Sequence, residues 1–341
     1  MASSRTTTEP EETTMHGNTE LTELLDSEPY YQTNDGAAYL GDSLELLDEL
    51  PEESIDLLVT SPPFGLQKKK EYGNKDPDEY NDWFMDFADR VYRVLTEDGS
   101  WVIDIGGGWE KGKPVRSIYH FELLTRLAGS DGPFHLAQDF YWYNPAKLPT
   151  PAQWVTIERI RCKDAVNHVW CLSKTERPEA DNVRVLQEYS DSQKELMENG
   201  YKDKKRPSGH DISDKFDDPK EKGSIPPNLL EIANTASNTH YLKACKKLDV
   251  DSHPARFPRQ LPDFFIRFLS EPGDTVLDIF AGSNMTGRVA QDLGRKWLAF
   301  ELQEKYLQTS KVRFMTMEEI DKIIDEDQSA LDDFEEFAEL D

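Results

Sequence analysis

The stretch TVLDIFAGSNMTG, residues 275–287, decides the fold. Its first half, Thr275 to Phe280, is an apolar run of the length of one buried strand, and its second half is a glycine loop opening a helix predicted over Thr286–Leu293. Glycine at 282 lets a ligand approach the backbone at the strand's carboxyl end. Gly282 and Gly287 have the spacing of a phosphate loop, but Arg288-Val289 follows where Lys and Ser or Thr are needed, and G-x-G-x-x-G is absent. The ligand therefore need not carry phosphate. Glu301 closes the next strand, predicted over Trp297–Phe300, where a carboxylate accepts two hydrogen bonds from ribose hydroxyls. An adenosine group is implied, against the plainer reading of a glycine turn beside a surface acid.

Upstream of that strand lie a helix predicted over Leu261–Leu269 and the turn Glu271-Pro272-Gly273-Asp274. Far earlier, AYLGDSLELLDELPEESIDLLVTSPPF, residues 38–64, reads as a short strand, a Gly41-Asp42 turn, a helix and an apolar strand Ile55–Val59 running into Ser61-Pro62-Pro63-Phe64. A helix predicted from Pro77 to Leu95 carries Trp83, Phe84, Phe87, Val91 and Val94 on one face; strands follow at Ser100–Ile105, ending in Gly106-Gly107-Gly108, and at Val166–Leu172. Apolar strands alternating with amphipathic helices imply a doubly wound, parallel α/β sheet. Residues 1–28 read as a flexible leader, with order from near Tyr30, and 29–175 as a catalytic half. Residues 176–251 are a polar insertion, 252–316 a cofactor-binding half, and 317–341 an acidic tail with Leu331, Phe334 and Phe337 as its apolar points.

The 341 residues carry 39 Lys and Arg against 66 Asp and Glu, a formal charge of −27. Such a surface repels nucleic acid and anionic membranes at ordinary salt. Spread along the chain, it suits a halophilic cytoplasm, where molar salt shortens the Debye length to roughly 3 Å. No apolar run approaches the roughly 18 residues of a membrane helix, and the first residues lack a signal peptide's apolar region, so a cytoplasmic protein without a membrane partner is expected. Cys162, Cys171 and Cys245 form no C-x-x-C pair, and His168 sits in an apolar strand, so no metal is expected.

The second informative loop is Ser61-Pro62-Pro63-Phe64, at the end of a buried strand. Two prolines fix φ and remove two N–H donors, leaving the Pro62 carbonyl as an acceptor; Ser61 adds a hydroxyl and Phe64 a flat apolar face. These groups suit a planar base with an exocyclic amine. Acceptors that draw the amine's hydrogens push its conjugated nitrogen toward a tetrahedral, nucleophilic state, ready for an electrophilic methyl.

TSPPFG near the start, and HPARFPRQLPDFFIRFL followed by VLDIFAGSNMTG near the end, resemble the amino-methylating DNA methyltransferases, in the permuted (beta) order that puts the catalytic motif first. NPAKLPTP, VNHVWCLSKT, RPSGHDIS, SIPPN and NTASNTHY resemble segments of the cytosine-N4 subgroup. The resemblance implies a circularly permuted Rossmann-like fold, a mixed seven-stranded sheet with one antiparallel strand, and S-adenosyl-L-methionine as cofactor. It implies Ser61, Pro62, Pro63 and Phe64 as the catalytic loop, and Asp278, Phe280, Gly282, Asn284 and Thr286 around the cofactor. Glu301 would hold the ribose, Asp42 would lie near the adenine, and His253, Phe257 and Pro258 would complete the pocket. Ile279 stands where many members have proline. The implied partners are double-stranded DNA and, where the enzyme is paired, a cognate restriction endonuclease.

Adenine-N6 methylation needs the same amine activation and stays open, although that subgroup usually has Asp or Asn where this chain has Ser61. A catalytically silent nucleic-acid-binding protein is the alternative from another class. Cytosine-C5 methylation is disfavoured, because its thiolate usually follows proline, whereas Arg161, Trp170 and Ala244 precede the cysteines. DNA contact is expected from the 176–251 insertion. Lys202, Lys204, Lys205 and Arg206 would meet phosphates, Ser208 and His210 are further expected DNA contacts, and Asn234, Ser237 and Asn238 are candidates for sequence readout.

Overall fold

The computed structural model describes residues 19–65, 77–199, 223–236 and 239–325. Along the chain come α1 (Thr19–Thr22), β1 (Tyr31–Gln32), β2 (Gly36–Leu40), α2 (Ser43–Glu49), β3 (Ile55–Thr60), α3 (Pro77–Val94) and β4 (Leu95–Ile105). The short pair β5 (Gly108–Trp109) and β6 (Arg116–Ser117), α4 (Tyr119–Ala128), β7 (His135–Tyr143) and β8 (Val166–Ser173) follow. Then come α5 (Asp191–Asn199), β9 (Leu229–Glu231), α6 (His240–Lys247), α7 (Gln260–Leu269), β10 (Thr275–Asp278), α8 (Met285–Asp292), β11 (Lys296–Glu301) and α9 (Glu304–Ser310).

Among the described residues, nine strands form one sheet in the order β1-β2-β11-β10-β3-β4-β8-β7-β9. From β2 to β4 every pairing is parallel. β8 runs antiparallel to both β4 and β7. The seven strands from β2 to β7 thus hold one antiparallel member, as the resemblance implies, and short strands extend each edge: β1 antiparallel to β2, β9 parallel to β7. Both faces are covered, so alternate residues of one strand enter different cores: on β11, Trp297 and Ala299 join one cluster, Leu298 and Phe300 the other. One cluster packs Leu47 of α2, Phe84 of α3 and Leu123 of α4; the other packs Phe265 of α7 and Val289 of α8. Within the first, Phe84 stacks on Trp101 with ring centroids 5.5 Å apart.

The central pair β10 and β3 positions the site. Val276 and Leu277 lie opposite Leu57 and Leu58, so loops far apart in sequence emerge side by side at the carboxyl edge. From there the chain leaves β10 for β11 on one side and β3 for β4 on the other. This divergence opens the crevice in which open α/β sheets bind ligands.

Four boundaries differ from the sequence reading. Leu21 and Leu25 are buried in the first core and Ser27 bonds Glu49, so order begins before Tyr30. β4 starts at Leu95, directly after α3, because Leu95 already pairs with Ile55. The polar 176–251 stretch contributes a sheet strand, β9, and α6, whose Tyr241, Ala244 and Cys245 pack on Val312 and Ile320. Residues 317–325 are helical and Ile320 is buried, so the start of the acidic tail belongs to the fold. Leu331, Phe334 and Phe337 lie outside the described residues.

Candidate active site

Ser61, Pro62, Pro63 and Phe64 leave the end of β3 and line a cavity of about 400 Å³ together with the loop after β10 and the end of β11. The Ser61 hydroxyl donates to Asp104 Oδ2 at 3.0 Å, and Asn167 Nδ2 donates to the other oxygen, Oδ1, also at 3.0 Å. Asp104 comes from β4 and Asn167 from the antiparallel β8. Burial pushes the Asp104 carboxyl up to about 6, while the Asn167 and Ser61 hydrogen bonds and the nearby Lys147 charge pull it down. Phe64 packs on Gly106: a Cβ there would meet the ring at 2.5 Å, so only glycine gives the ring this seat. Tyr119 donates its hydroxyl to the Gly106 carbonyl and fixes that backbone.

On the β10 side, Asp278 is buried and ties the two loops together. Its Oδ1 accepts from Thr60 Oγ1 at 2.8 Å, across from β3, and from the Phe280 N–H at 3.0 Å; Oδ2 accepts from Thr286 Oγ1 at 2.7 Å. Its carboxyl is pushed up to about 6 by burial, with those three bonds opposing. Gly282 has φ 51° and Asn284 has φ 49°, so two left-handed turns bring the chain into α8. A Cβ at Gly282 would lie 3.1 Å from the His253 ring. Asn284 caps α8 by accepting from Gly287 N at 3.0 Å, and its amide donates to the Tyr31 hydroxyl at 2.9 Å.

Glu301 lines the cavity with Oε2 accepting from Gly282 N at 2.8 Å and Oε1 from Gln303 N at 2.9 Å. Each oxygen keeps lone-pair capacity for a further donor. His253 is buried against Tyr306, ring centroids 4.2 Å apart, and burial pulls its imidazole down to about 4, so it is neutral at physiological pH. Asp42 caps α2 by accepting from Leu44 N at 2.9 Å, and Ser43 of that helix donates to the Ile279 carbonyl at 2.6 Å.

Of the residues expected from sequence, Asp42, Ser61, Pro62, Pro63, Phe64, His253, Phe257, Phe280, Gly282, Glu301 and Asn234 share the cavity wall. Asp278, Asn284 and Thr286 instead stand behind it, their polar atoms spent on the loop itself. Pro258 is buried outside the wall, its carbonyl accepting from Leu261 N at the start of α7. Asn234 is pinned at the wall, donating to the Arg256 carbonyl at 2.7 Å. Lys202, Lys204, Lys205, Arg206, Ser208, His210, Ser237 and Asn238 lie outside the described residues. Sequence reasoning missed Asp104, Asn167, Lys147 and the apolar wall of Trp83 and Phe87. A signal for Asp104 was present: an acid inside the apolar run Trp101-Val102-Ile103-Asp104-Ile105, where a lone charge needs a partner. His168, on β8, sits among the rings of His120, Phe121 and Tyr141.

The cavity lies at the switch point of the sheet, with the S-P-P-F loop on one side and the Glu301 carboxylate on the other. The chain belongs to the DNA methylase family of N6 and N4 methyltransferases, which it matches over residues 55–312. It is 54% identical over 290 residues to the type II methyltransferase M.PvuII of Proteus hauseri, covering 84% of this chain and 86% of that one. The solved PvuII DNA methyltransferase, described as cytosine-N4-specific, superposes with a TM-score of 0.71 at 48% identity, over 88% of this chain and 94% of that chain. A Thermus thermophilus protein solved with S-adenosyl-L-methionine shares the fold, with a TM-score of 0.50 at 22% identity over 81% and 92% of the two chains. Among the described residues, no helix is long and apolar enough to cross a membrane.

Proposed function

We propose that this chain transfers a methyl group from S-adenosyl-L-methionine to the exocyclic N4 amine of cytosine in a short duplex DNA site. The observation that carries this reading is the Ser61 hydroxyl committed to buried Asp104, in the same cavity as Glu301. The 54% identity to a type II methyltransferase over most of both chains supports it. The cavity fits the cofactor: Glu301 has capacity for two ribose hydroxyls, Gly282 lines the wall with no Cβ to crowd the His253 ring, and Trp83, Phe87 and Phe280 offer an apolar wall for a purine.

When bound, S-adenosyl-L-methionine would supply an electrophilic methyl group and keep the electron pair of the broken methyl–sulfur bond as a neutral thioether. The target base reaches the cavity only by flipping out of the duplex, at a cost of a few kcal/mol. Ser61 points its own hydrogen at Asp104, so its oxygen lone pairs are left to accept one amine hydrogen, while the Pro62 carbonyl accepts the other. Both interactions strengthen as the nitrogen becomes tetrahedral, and Phe64 stacks on the base. As the new N–C bond forms, the amine loses a proton to Ser61 Oγ and the Ser61 proton passes to Asp104. An acid held near 6 is ionised at neutral pH yet basic enough to take that proton.

Sequence readout and phosphate contact fall to the 176–251 region, with the Lys202 to Arg206 cluster as the positive patch in an anionic protein. A working environment of molar salt in the cytoplasm and pairing with a cognate endonuclease complete the proposal. The test is transfer of radiolabelled methyl to duplex DNA in molar KCl; no transfer to any duplex would leave a silent DNA-binding protein.

A further inference from the structure

Lys147 lines the cavity beside Ser61, Asp104, Asn167 and Asn234, and among the described residues its ammonium has no hydrogen-bond or ion-pair partner. Lys147 is solvent-exposed where it lines the wall, whereas Arg256, also on the wall, bonds Ser252 Oγ and the His253 carbonyl. The loop bearing Lys147 is built rather than loose. Asn144 N donates to the Ala165 carbonyl at 2.8 Å, Lys147 N to the Asn144 carbonyl at 3.1 Å, and Asn144 Oδ1 accepts from Ala146 N at 3.1 Å. Lys163 Nζ clamps the Pro145 and Lys147 carbonyls at 3.0 and 3.2 Å, and Asn234 N reaches Asn144 Oδ1 at 3.3 Å. A rigid loop therefore presents an uncommitted cation to the cavity, on the side where Asp104 feels its charge.

The base explains what such a cation is for. Along one edge cytosine presents the N4 amine, the N3 acceptor and the O2 carbonyl; adenine presents an amine, an acceptor and then a C–H. Ser61, Pro62 and Asp104 supply acceptors and account for the amine alone. The acceptor edge needs a donor, and a site that fails to pair a carbonyl with its donor rejects that base.

We propose that Lys147 is a specificity-determining residue that donates to the O2 carbonyl of the flipped cytosine and so selects cytosine over adenine. This rests on the cytosine-N4 reading above. A C-nucleoside of 2-aminopyridine placed at the target position tests it, because it keeps the amine and ring nitrogen but has C–H in place of O2. Methylation of cytosine and analogue duplexes is measured for the wild type and Lys147→Met, with cofactor affinity measured by calorimetry. For a charged hydrogen bond, Lys147→Met should slow methylation of cytosine by about tenfold to a hundredfold. The analogue should be slow with the wild type and no slower with the variant, so the two losses do not multiply. Lys147→Arg should restore part of the cytosine rate. An equal loss on both duplexes, which an effect through Asp104 would give, overturns the proposal, as does an undiminished cytosine rate or weakened cofactor binding. A wild type that methylates no cytosine would refute the function itself, a distinct outcome.

Discussion

Asp104 is buried with both oxygens occupied, one by the Ser61 hydroxyl and one by the Asn167 amide. Its carboxyl lies above the unfolded-state value, so ionisation opposes folding; that penalty is fully present above about pH 6 and is relieved as pH falls through it. Two outcomes follow for Asp104→Asn. Turnover falls by about 10²-fold or more, as for a lost transition-state partner, while the melting temperature at pH 7.5 stays level or rises. In the wild type, turnover declines as pH drops through about 6, because protonated Asp104 no longer takes the Ser61 hydrogen; a pH–rate profile flat from 5 to 8 would remove Asp104 from the chemistry. Phe64→Tyr keeps the ring face and is tolerated, whereas Gly106→Ala drives a methyl into that ring and should lower turnover even with cofactor affinity intact. At this scale Ser61 and Glu301 were legible because their types sit at strand ends. Asp104 left a trace only as an acid in an apolar run; which partner it takes was not legible, because Ser61 is brought to it only by the pairing of β3 with β4.

The elements show which signals survive in sequence. β10, α8 and β11 were readable because each is a continuous apolar or amphipathic segment preceded by a glycine turn. β9 is three residues long and α6 lies in a polar stretch, so their places are set by what they dock on: β7 for the first, Val312 and Ile320 for the second. Asn284 is the hinge between β10 and α8, combining a left-handed backbone with the cap on Gly287 and a bond to Tyr31. Asn284→Ala therefore removes a cap and strains the backbone together, a destabilisation of about 1–3 kcal/mol. Urea titration should show it as a lower midpoint at unchanged slope. Glu301→Ala should weaken cofactor binding, read by calorimetry, with DNA affinity nearly unchanged; unaltered cofactor affinity would make Glu301 a loop brace for Gly282 alone.

Across the whole molecule, the sheet brings Ser61 and Asp278 together from opposite ends of the sequence, joined by the Thr60 hydroxyl on the Asp278 carboxylate. The charge of −27 acts at the same scale. Repulsion among acids falls as salt shortens the Debye length to about 3 Å at 1 M, so the melting temperature should climb between low and molar KCl; a flat or falling melting temperature would show that the charge carries no adaptation to salt. Activation of the cytosine amine by the Ser61 and Asp104 unit is read out by mass spectrometry of nucleosides from duplex DNA treated with wild type and Ser61→Ala. The wild type should yield N4-methyldeoxycytidine, and the variant about a hundredfold less or lower. N6-methyldeoxyadenosine as the product, or an undiminished yield from Ser61→Ala, would contradict it.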